Sequence, residues 1–237
     1  MLKIYLERPL PGRKRFAVED QFWVHYLENV RRINRGDQLE VVGERQVAEV
    51  EVISASPPGV EIISTRRRRL PSYSLWLLQA ITRKKKFENT VRTTSELGVT
   101  HLLPLISSNT VRRPNNPEKQ QKRWKKIALD STRITGRDWQ PRIFEPVDFD
   151  NFTSHLKDEP GIYWGDTSGK LPGEIFSPGQ DNVAVVVGPE GGFTDPEKEY
   201  LQQKEAIPVS LGDQNYRSET AAQLLTTLWL QQTGNLG

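Results

Sequence analysis

Two glycine-bearing segments are candidates for ligand chemistry, because each follows a short apolar run typical of a buried strand. Gly188–Gly192 (GPEGG) follows Val183–Val187, and Gly212–Tyr216 follows Ile207–Leu211. Ligands of open α/β sheets bind at the carboxyl ends of strands, so both segments lie where a site is expected. Glycine lets backbone N–H and C=O groups approach a flat heterocycle closely, and Pro189 would stiffen the turn.

The Gly188–Gly192 segment carries neither of the common phosphate signatures. It lacks the Lys-Ser/Thr pair of a P-loop, and it lacks the spacing of a dinucleotide fingerprint. Phosphate binding is therefore not indicated. A glycine-rich turn between a strand and a helix also occurs for purely structural reasons, so this segment alone does not decide the function.

The second segment leads into Arg217–Ala221 (RSETA) at a predicted helix start. In a structural interpretation, Ser218 caps the helix and Glu219 complements the helix dipole. In a functional interpretation, Arg217 stabilises developing negative charge and Glu219 accepts a proton. Arg217 is the only basic residue after Lys204, which favours a specific role for it. Both interpretations stay open at this point.

Several kinds of chemistry have no support in the composition. The chain has no cysteine, and its three histidines (His25, His101 and His155) are scattered, so we expect no disulfide, no thiol nucleophile and no metal site. Its longest apolar runs are far shorter than the roughly 18 residues that indicate a membrane span. The N-terminus lacks a basic-then-apolar signal pattern, and we expect a cytoplasmic protein.

The formal net charge of +3 conceals a strong asymmetry along the chain. Residues 1–72 hold 13 basic and 10 acidic side chains, residues 73–145 hold 15 and 6, and residues 146–237 hold 5 and 14. A basic first part joined to an acidic last part predicts that the first part meets a polyanion, for which RNA is the natural candidate.

Residues 1–64 have the pattern of a small β-domain, in which short apolar runs are separated by turn residues. Phe22–Val30 has the spacing of an amphipathic helix. The predicted strands are Lys3–Leu6, Gln38–Val42, Gln46–Ile53 and Val60–Ile63. Ser64–Ser72, with its four consecutive arginines, is predicted to be either a solvated linker or a phosphate-contacting segment.

From Tyr73 onward, strands alternate with helices, which predicts an α/β domain with a mainly parallel sheet. Thr194 and Glu197 have the spacing of a capping box. The predicted strands are Tyr73–Ile81, Val99–Leu105, Gly161–Trp164, Val183–Val187 and Ile207–Leu211. The predicted helices are Phe87–Leu97, Pro117–Ile134, a helix from Thr194 to about Glu205, and Glu219–Gln232, with Ser218 as the predicted cap of the last.

Taken together, VVVGPEGGFT (Val185–Thr194), VSLG (Val209–Gly212) and YRSETAA (Tyr216–Ala222) resemble the 16S ribosomal RNA uracil-N3 methyltransferases of the SPOUT superfamily. The resemblance covers nearly the whole chain. It extends through Leu77–Ala80, Thr94–Val99, Lys122–Ala128, Gly136-Arg137 with Pro141, and, in the first part, His25 and Val30–Asp37.

This resemblance implies a two-domain architecture and an activity. Residues 1–72 would form a PUA-like β-barrel that binds RNA, and residues 73–237 a SPOUT α/β domain with a deep trefoil knot within about 161–237. The implied reaction is S-adenosylmethionine-dependent methylation of N3 of a uridine in small-subunit ribosomal RNA. The implied protein is a homodimer that requires no metal.

The resemblance also implies site residues. Arg217 and Arg137 match arginines of the family motifs and are candidates to face the target uridine, with Glu219 as a candidate proton acceptor. The cofactor would lie among backbone groups, with Trp164-Gly165 as a further wall. The implied cofactor-binding residues are Val187, Gly188, Pro189, Glu190, Gly191, Gly192, Ser210, Leu211, Gly212, Tyr216, Ser218, Thr220 and Ala221.

Two departures from the family pattern keep alternatives in view. The chain has Arg133–Arg137 (RITGR) where the family usually has Glu-Gln-Ser-Gly-Arg, and Arg92-Thr93 where it usually has Glu-Lys. One alternative is a ribose 2′-O-methyltransferase of the same superfamily, against which the Arg-Ser-Glu-Thr motif argues. The other is a non-catalytic RNA-binding assembly factor, which the changes at Arg133 and Ile134 leave open.

Overall fold

A computed structural model describes residues 1–6, 8–111 and 113–236 of the chain. These residues divide into two units. Unit 1 consists of Met1–Leu70 together with Arg133–Trp139, and unit 2 consists of Pro71–Thr132 together with Gln140–Gly237. The chain therefore leaves unit 2 for seven residues in the middle of the sequence and then returns to it.

Unit 1 is built on a five-stranded sheet with the strand order β1-β3-β4-β5-β2. Only β1 and β3 pair in parallel, and the other neighbours are antiparallel. The strands are β1 (Leu2–Tyr5), β2 (Arg15–Ala17), β3 (Gln38–Val42), β4 (Gln46–Ala55) and β5 (Pro58–Arg67). The four strands predicted in this part are confirmed, although β4 and β5 are longer than predicted, and β2 was not predicted.

The helix predicted over Phe22–Val30 is also present. It begins as α1 (Gln21–His25) and continues as a π-helix over Tyr26–Arg31. The Asp20 carboxylate caps it by accepting a hydrogen bond from the Trp23 backbone N–H at 3.1 Å. Trp23 is buried, and its indole N–H donates to the Tyr5 carbonyl, which ties the helix to β1.

The linker interpretation of Ser64–Ser72 is wrong at the N-terminal end of the segment, because Ser64–Arg67 completes β5. Arg66 is part of a partly buried charged cluster with Lys3, Glu40 and Asp138. Its guanidinium lies 2.8 Å from a Glu40 oxygen and 2.5 Å from an Asp138 oxygen. Lys3 Nζ lies 2.7 Å from the other Asp138 oxygen. The guanidinium of Arg66 is therefore committed to an internal ion pair.

This cluster fixes Arg133–Trp139 to the sheet of unit 1. The Asp138 side chain is only 4% exposed. Burial raises the pKa of Asp138, but hydrogen bonds from Arg66, Lys3 and the Arg69 backbone N–H outweigh burial and hold that pKa well below its ordinary value. Asp138 is thus held as an anion between two cations.

Unit 2 contains a parallel sheet with the strand order β12-β10-β11-β6-β7-β8, and β9 also pairs with β7. Its strands are β6 (Ser74–Ala80), β7 (His101–Ile106), β8 (Arg142–Ile143), β9 (Val147–Asp148), β10 (Gly161–Lys170), β11 (Asn182–Val187) and β12 (Ile207–Val209). Its helices are α2 (Lys84–Leu97), α3 (Pro117–Thr135, whose last residues belong to unit 1), α4 (Pro172–Ile175), α5 (Asp195–Gln203) and α6 (Ser218–Gln232), with a 3-10 helix over Phe149–His155.

The sheet of unit 2 is buried on both faces, as expected when helices cover a parallel sheet. Along β6, Leu75 and Leu77 pack in one apolar cluster with Phe87, Trp124 and Trp229 of α2, α3 and α6. Trp76 and Leu78 pack in a second cluster, which includes Phe149, Phe193 and Leu201. This alternation explains why β6 and β11 appear in the sequence as continuous apolar runs.

The predicted α/β class is confirmed for unit 2, with some local corrections. β10 continues six residues past Trp164, and α4 lies between β10 and β11, where no helix was predicted. Thr194 and Glu197 form the predicted capping box. Ser218 is not the cap of the last helix, because Arg217 occupies the cap position and Ser218 is the first helical residue. None of the helices in the described part of the chain is both long and apolar enough to cross a membrane.

Candidate functional site

A cavity of about 620 Å³ opens at the carboxyl ends of the neighbouring strands β10, β11 and β12 of unit 2. This is the position at which open parallel sheets bind ligands, and the volume suits a cofactor-sized molecule. The cavity is lined by Gly165, Asp166, Thr167, Val187, Gly188, Pro189, Glu190, Gly191, Gly192, Phe193, Lys198, Val209, Leu211, Gln214, Asn215, Tyr216, Arg217, Ser218 and Ala221.

The structure brings residues of Gly188–Gly192 and of Tyr216–Ala221 together in this cavity, although more than 20 residues separate the two segments in the sequence. Of the residues expected to bind a cofactor, the lining includes Val187, Gly188, Pro189, Glu190, Gly191, Gly192, Leu211, Tyr216, Ser218 and Ala221. Arg217, an expected catalytic residue, lines it as well. Ser210, Gly212, Thr220 and Glu219 are not lining residues, and Arg137 lies in unit 1.

Ser210 and Gly212 shape the turn beyond β12 instead of lining the cavity. The Ser210 hydroxyl accepts a hydrogen bond from the Gly212 N–H at 3.1 Å. Gly212 has a φ of +97°, which a residue with a side chain rarely adopts. Thr220 donates its backbone N–H to the Arg217 carbonyl within the first turn of α6. These residues set the path of the chain from β12 into α6.

Glu219 points away from the cavity lining toward the start of α2. One of its carboxylate oxygens lies 3.8 Å from Lys86 Nζ. Lys86 also donates a hydrogen bond of 3.0 Å to Glu190, which does line the cavity. Arg137 is placed in unit 1 by a hydrogen bond from the Tyr5 hydroxyl to its carbonyl, and its guanidinium lies over the Trp139 ring.

The Gly188–Gly192 loop is held from two sides. The Ser218 hydroxyl donates to the Gly188 carbonyl at 2.5 Å and accepts from Gln79 Nε2 at 2.8 Å. On the other side, the Asn109 amide nitrogen donates to the carbonyls of Gly191 at 3.3 Å and Gly192 at 3.0 Å. The loop therefore presents its remaining backbone groups in a fixed arrangement.

Two charged lining residues, Asp166 and Lys198, were missed by sequence reasoning. They form an ion pair of 2.9 Å, and the Ser168 backbone N–H and hydroxyl both donate to Asp166. Burial raises the pKa of Asp166, but these hydrogen bonds and Lys198 outweigh burial and lower that pKa below its ordinary value. The signal that could have found Asp166 is the rule that neighbouring parallel strands end at the same edge, since β10 lies beside β11.

The cavity thus combines backbone donors and acceptors with two carboxylates, one ammonium and one guanidinium. Burial raises the pKa of Glu190, but the hydrogen bonds from Lys86 and from its own backbone N–H outweigh burial and leave that pKa below its ordinary value. Within the described residues, no group of three His, Cys, Asp or Glu side chains could hold a metal ion. The arrangement suits a flat, polar ligand.

The fold and the cavity define an α/β protein with a ligand site at the carboxyl edge of a parallel sheet. Residues 68–230 match the family model described as "RNA methyltransferase domain". The chain belongs to this family, and the resemblance drawn from the sequence motifs is confirmed at that level.

Relatives with the name ribosomal RNA small subunit methyltransferase E match most of the chain. The Bacillus subtilis protein is 27% identical over 213 residues, covering 84% of this chain and 83% of its own length. The Aquifex aeolicus protein is 29% identical over 195 residues, covering 81% of this chain and 84% of its own length. A structure of the Neisseria gonorrhoeae protein of that name, bound to S-adenosyl methionine, superposes with a TM-score of 0.86 at 22% identity. The superposition covers 98% of this chain and 97% of the Neisseria chain, so the two share the fold.

Proposed function

We propose that this chain transfers the methyl group of S-adenosylmethionine to N3 of a uridine in small-subunit ribosomal RNA. The observation that carries the proposal is the cavity in which the Gly188–Gly192 loop meets Arg217. Family membership supplies the reaction class, and the names of the relatives point to the small ribosomal subunit. The N3 position rests on the resemblance of the two motif segments to the uracil-N3 enzymes.

The residues present fit the proposed cofactor. A Cβ added to Gly188 would lie 3.3 Å from the Phe193 ring, so the backbone passes closely there and a side chain would narrow the site. The lining offers backbone groups for a purine, and its two carboxylates, Asp166 and Glu190, are held in place by ion pairs with Lys198 and Lys86. When bound, S-adenosylmethionine supplies an electrophilic methyl group and needs no metal.

Arg217 is the residue to which we assign stabilisation of charge. Uracil N3 carries a proton, and when that proton leaves, negative charge spreads onto the two neighbouring carbonyl oxygens. Arg217 is exposed at the cap position of α6 and lines the cavity, so its guanidinium can reach a base that enters from solvent. A guanidinium donates two parallel hydrogen bonds, which suits this delocalised anion.

The proton of N3 needs an acceptor. Glu219 was the carboxylate expected from the sequence, but its carboxylate meets Lys86 instead of lining the cavity. We therefore propose that the proton passes to water and that Glu219 acts on the site through Lys86. The Arg217 guanidinium favours this step by stabilising the anion that remains.

The RNA would be bound through its phosphates by basic residues of both units. Arg83, Lys84 and Lys85 are exposed at the start of α2, and α3 exposes five further cations from Lys119 to Lys126. Unit 1, proposed to be a PUA-like RNA-binding domain, adds exposed arginines, and Arg137 is proposed to contact the target region. These contacts give affinity without base specificity, and the target base must leave its stack to reach a cavity of this kind.

The deep trefoil knot, the homodimer and the cytoplasmic location are part of the same proposal. Topology supports the knot: β12 lies at the sheet edge beside β10, yet α6, which follows it, packs against β11, β6 and α2. The chain must therefore cross back over the neighbouring strands, and Ser218 passes directly against Gly188 on the way. We also propose that the RNA-binding domain ends near residue 72.

The test is incubation of the protein with methyl-labelled S-adenosylmethionine and small-subunit RNA that lacks the modification. Label on N3 of a uracil is the expected result. Label on a ribose would indicate the 2′-O-methyltransferase alternative. Absence of label, with RNA binding retained, would indicate the assembly-factor alternative.

A further inference from the structure

We propose that Lys86 is a positioning residue of the methyl-transfer site, which it serves by tying the cofactor loop to the first turns of α2 and α6. This inference rests on the proposed function. Lys86 does not line the cavity and belongs to none of the motif segments that define it. Its ammonium nevertheless lies between a carboxylate of the loop and a carboxylate of α6.

The geometry of this bridge joins three elements that are distant in sequence. Lys86 Nζ donates to Glu190 Oε1 at 3.0 Å and lies 3.8 Å from Glu219 Oε1. Glu190 is the third residue of the loop that follows β11, and Glu219 is the second residue of α6. Side-chain exposures of 32%, 29% and 13% for Lys86, Glu190 and Glu219 show that the bridge is only partly screened by solvent.

Helix stability does not account for a lysine at this position. Lys84, Lys85 and Lys86 occupy the first turn of α2, where the helix dipole disfavours cations, and this turn contains no acidic residue. Lys86 is the member of this run that turns inward to two carboxylates, whereas Lys84 and Lys85 are exposed. Its unfavourable position in the helix is thus offset by contacts to the site.

The bridge supports the loop at a residue that the other two side-chain anchors do not hold. Ser218 holds Gly188 and Asn109 holds Gly191 and Gly192, so the bond from Lys86 holds the residue between these anchors. Glu219 has a second carboxylate oxygen that is buried without a hydrogen-bond partner among the described residues. Its charge is therefore balanced mainly through Lys86, which couples the orientation of α6, and hence of Arg217, to the loop.

The experiment measures cofactor affinity by titration calorimetry with S-adenosylmethionine in the unmodified chain and in Lys86→Met, Lys86→Arg, Glu190→Gln and Lys86→Met/Glu190→Gln. Lys86→Met keeps the apolar stem and removes the ammonium. We expect it to raise the dissociation constant about three- to tenfold, because a partly exposed ion pair and loop order are lost. Lys86→Arg should restore most of the affinity, and the double variant should bind no more weakly than the weaker single variant.

Lys85→Met is the matched control, since it removes a neighbouring, exposed ammonium and leaves the bridge in place. A merely structural role for Lys86 would lower the thermal midpoint of the ligand-free protein and give additive losses in the double variant. Additive losses, or unchanged affinity in Lys86→Met, would overturn the inference and leave the proposed function standing. An unmodified chain that does not bind S-adenosylmethionine would overturn both.

Discussion

The hydroxyl of Ser218 lies against the amide of Gln79, which donates to it across 2.8 Å. The same hydroxyl donates to the Gly188 carbonyl at 2.5 Å. Gln79 belongs to β6 and Gly188 follows β11, so one side chain at the start of α6 connects the ends of two adjacent strands. The glycine loop and Arg217 consequently share one support.

Ser218→Ala should destabilise the protein by about 1–3 kcal/mol, because a buried amide N–H and a carbonyl lose their partner. The change should also weaken cofactor binding, since the loop loses its anchor at Gly188. Urea denaturation and calorimetric titration measure the two effects. Thr227→Ala on the same helix is the control and should change both stability and cofactor affinity less than Ser218→Ala does. Equal effects in the two variants would show that the Ser218 contact has no special role.

Asn109 gives a second prediction about the glycine loop. Its amide donates to the carbonyls of Gly191 and Gly192. Asn109→Ala removes these bonds, and we expect the dissociation constant for S-adenosylmethionine to rise about three- to tenfold. Asn109→Asp has the same shape but places an acceptor opposite two acceptors, so its loss should be larger. The bracing role would be refuted by equal affinities in all three proteins.

Asp138 gives a prediction about stability and pH. Asp138→Asn leaves Lys3 and Arg66 with only Glu40 as a shared anion, and we expect the free energy of unfolding to fall by about 2–3 kcal/mol at pH 7, a figure reduced for the partial exposure of Arg66. The folded-state pKa of Asp138 is lowered relative to that of an unfolded aspartate, which is about 3.9. The stabilisation is therefore fully present above that value and is lost as the pH falls toward the folded-state pKa.

Denaturation of both proteins from pH 7 to pH 3 checks this expectation. The difference between them should be constant down to about pH 5 and narrow below about pH 4. Glu61→Gln, which breaks an exposed pair with Lys14 and Arg15 in the same unit, is the control and should change stability little. A difference that stays constant to pH 3 would show that the charge of Asp138 is not what stabilises the segment.

The sequence was sufficient for elements whose signal is local. Apolar runs predicted β3 and β11, and the short spacing of Thr194 and Glu197 predicted the capping box. The glycine loop and Arg217 could be assigned to one site because parallel strands end at the same edge. The apolar run Val183–Val187 was decisive for this, since it identifies a strand buried on both faces.

Contacts between distant residues could not be read in the same way. Lys86 and Glu190 are 104 positions apart in the sequence. Asp138 contacts Lys3 and Arg66, which lie 135 and 72 positions away from it. No periodicity marks Arg133–Trp139 as part of unit 1, because the helical pattern of α3 runs into it without interruption. Long-range ion pairs leave no local pattern, so the pairing of Asp166 with Lys198 and the bridge at Lys86 became visible only in the structure.

Arg217→Ala is the prediction that bears most directly on catalysis. If Arg217 stabilises the uracil anion, its removal should lower kcat by about 10²–10³-fold, the range for loss of a donor aimed at developing charge. Cofactor affinity should stay within about threefold, because the loop and its anchors at Ser218 and Asn109 are untouched. Single-turnover methylation of the RNA and titration with S-adenosylmethionine measure the two quantities separately.

Arg113→Ala is the matched control, because Arg113 is an exposed arginine of the same unit that pairs with Asp148 outside the cavity. Arg113→Ala should lower RNA affinity at low salt and leave kcat at saturating RNA unchanged. Arg217→Lys keeps the charge but loses the planar pair of donors, so an intermediate kcat is expected if geometry matters as well as charge. Full turnover in Arg217→Ala would remove Arg217 from the mechanism, and a loss confined to the Michaelis constant for RNA would make it a binding residue instead.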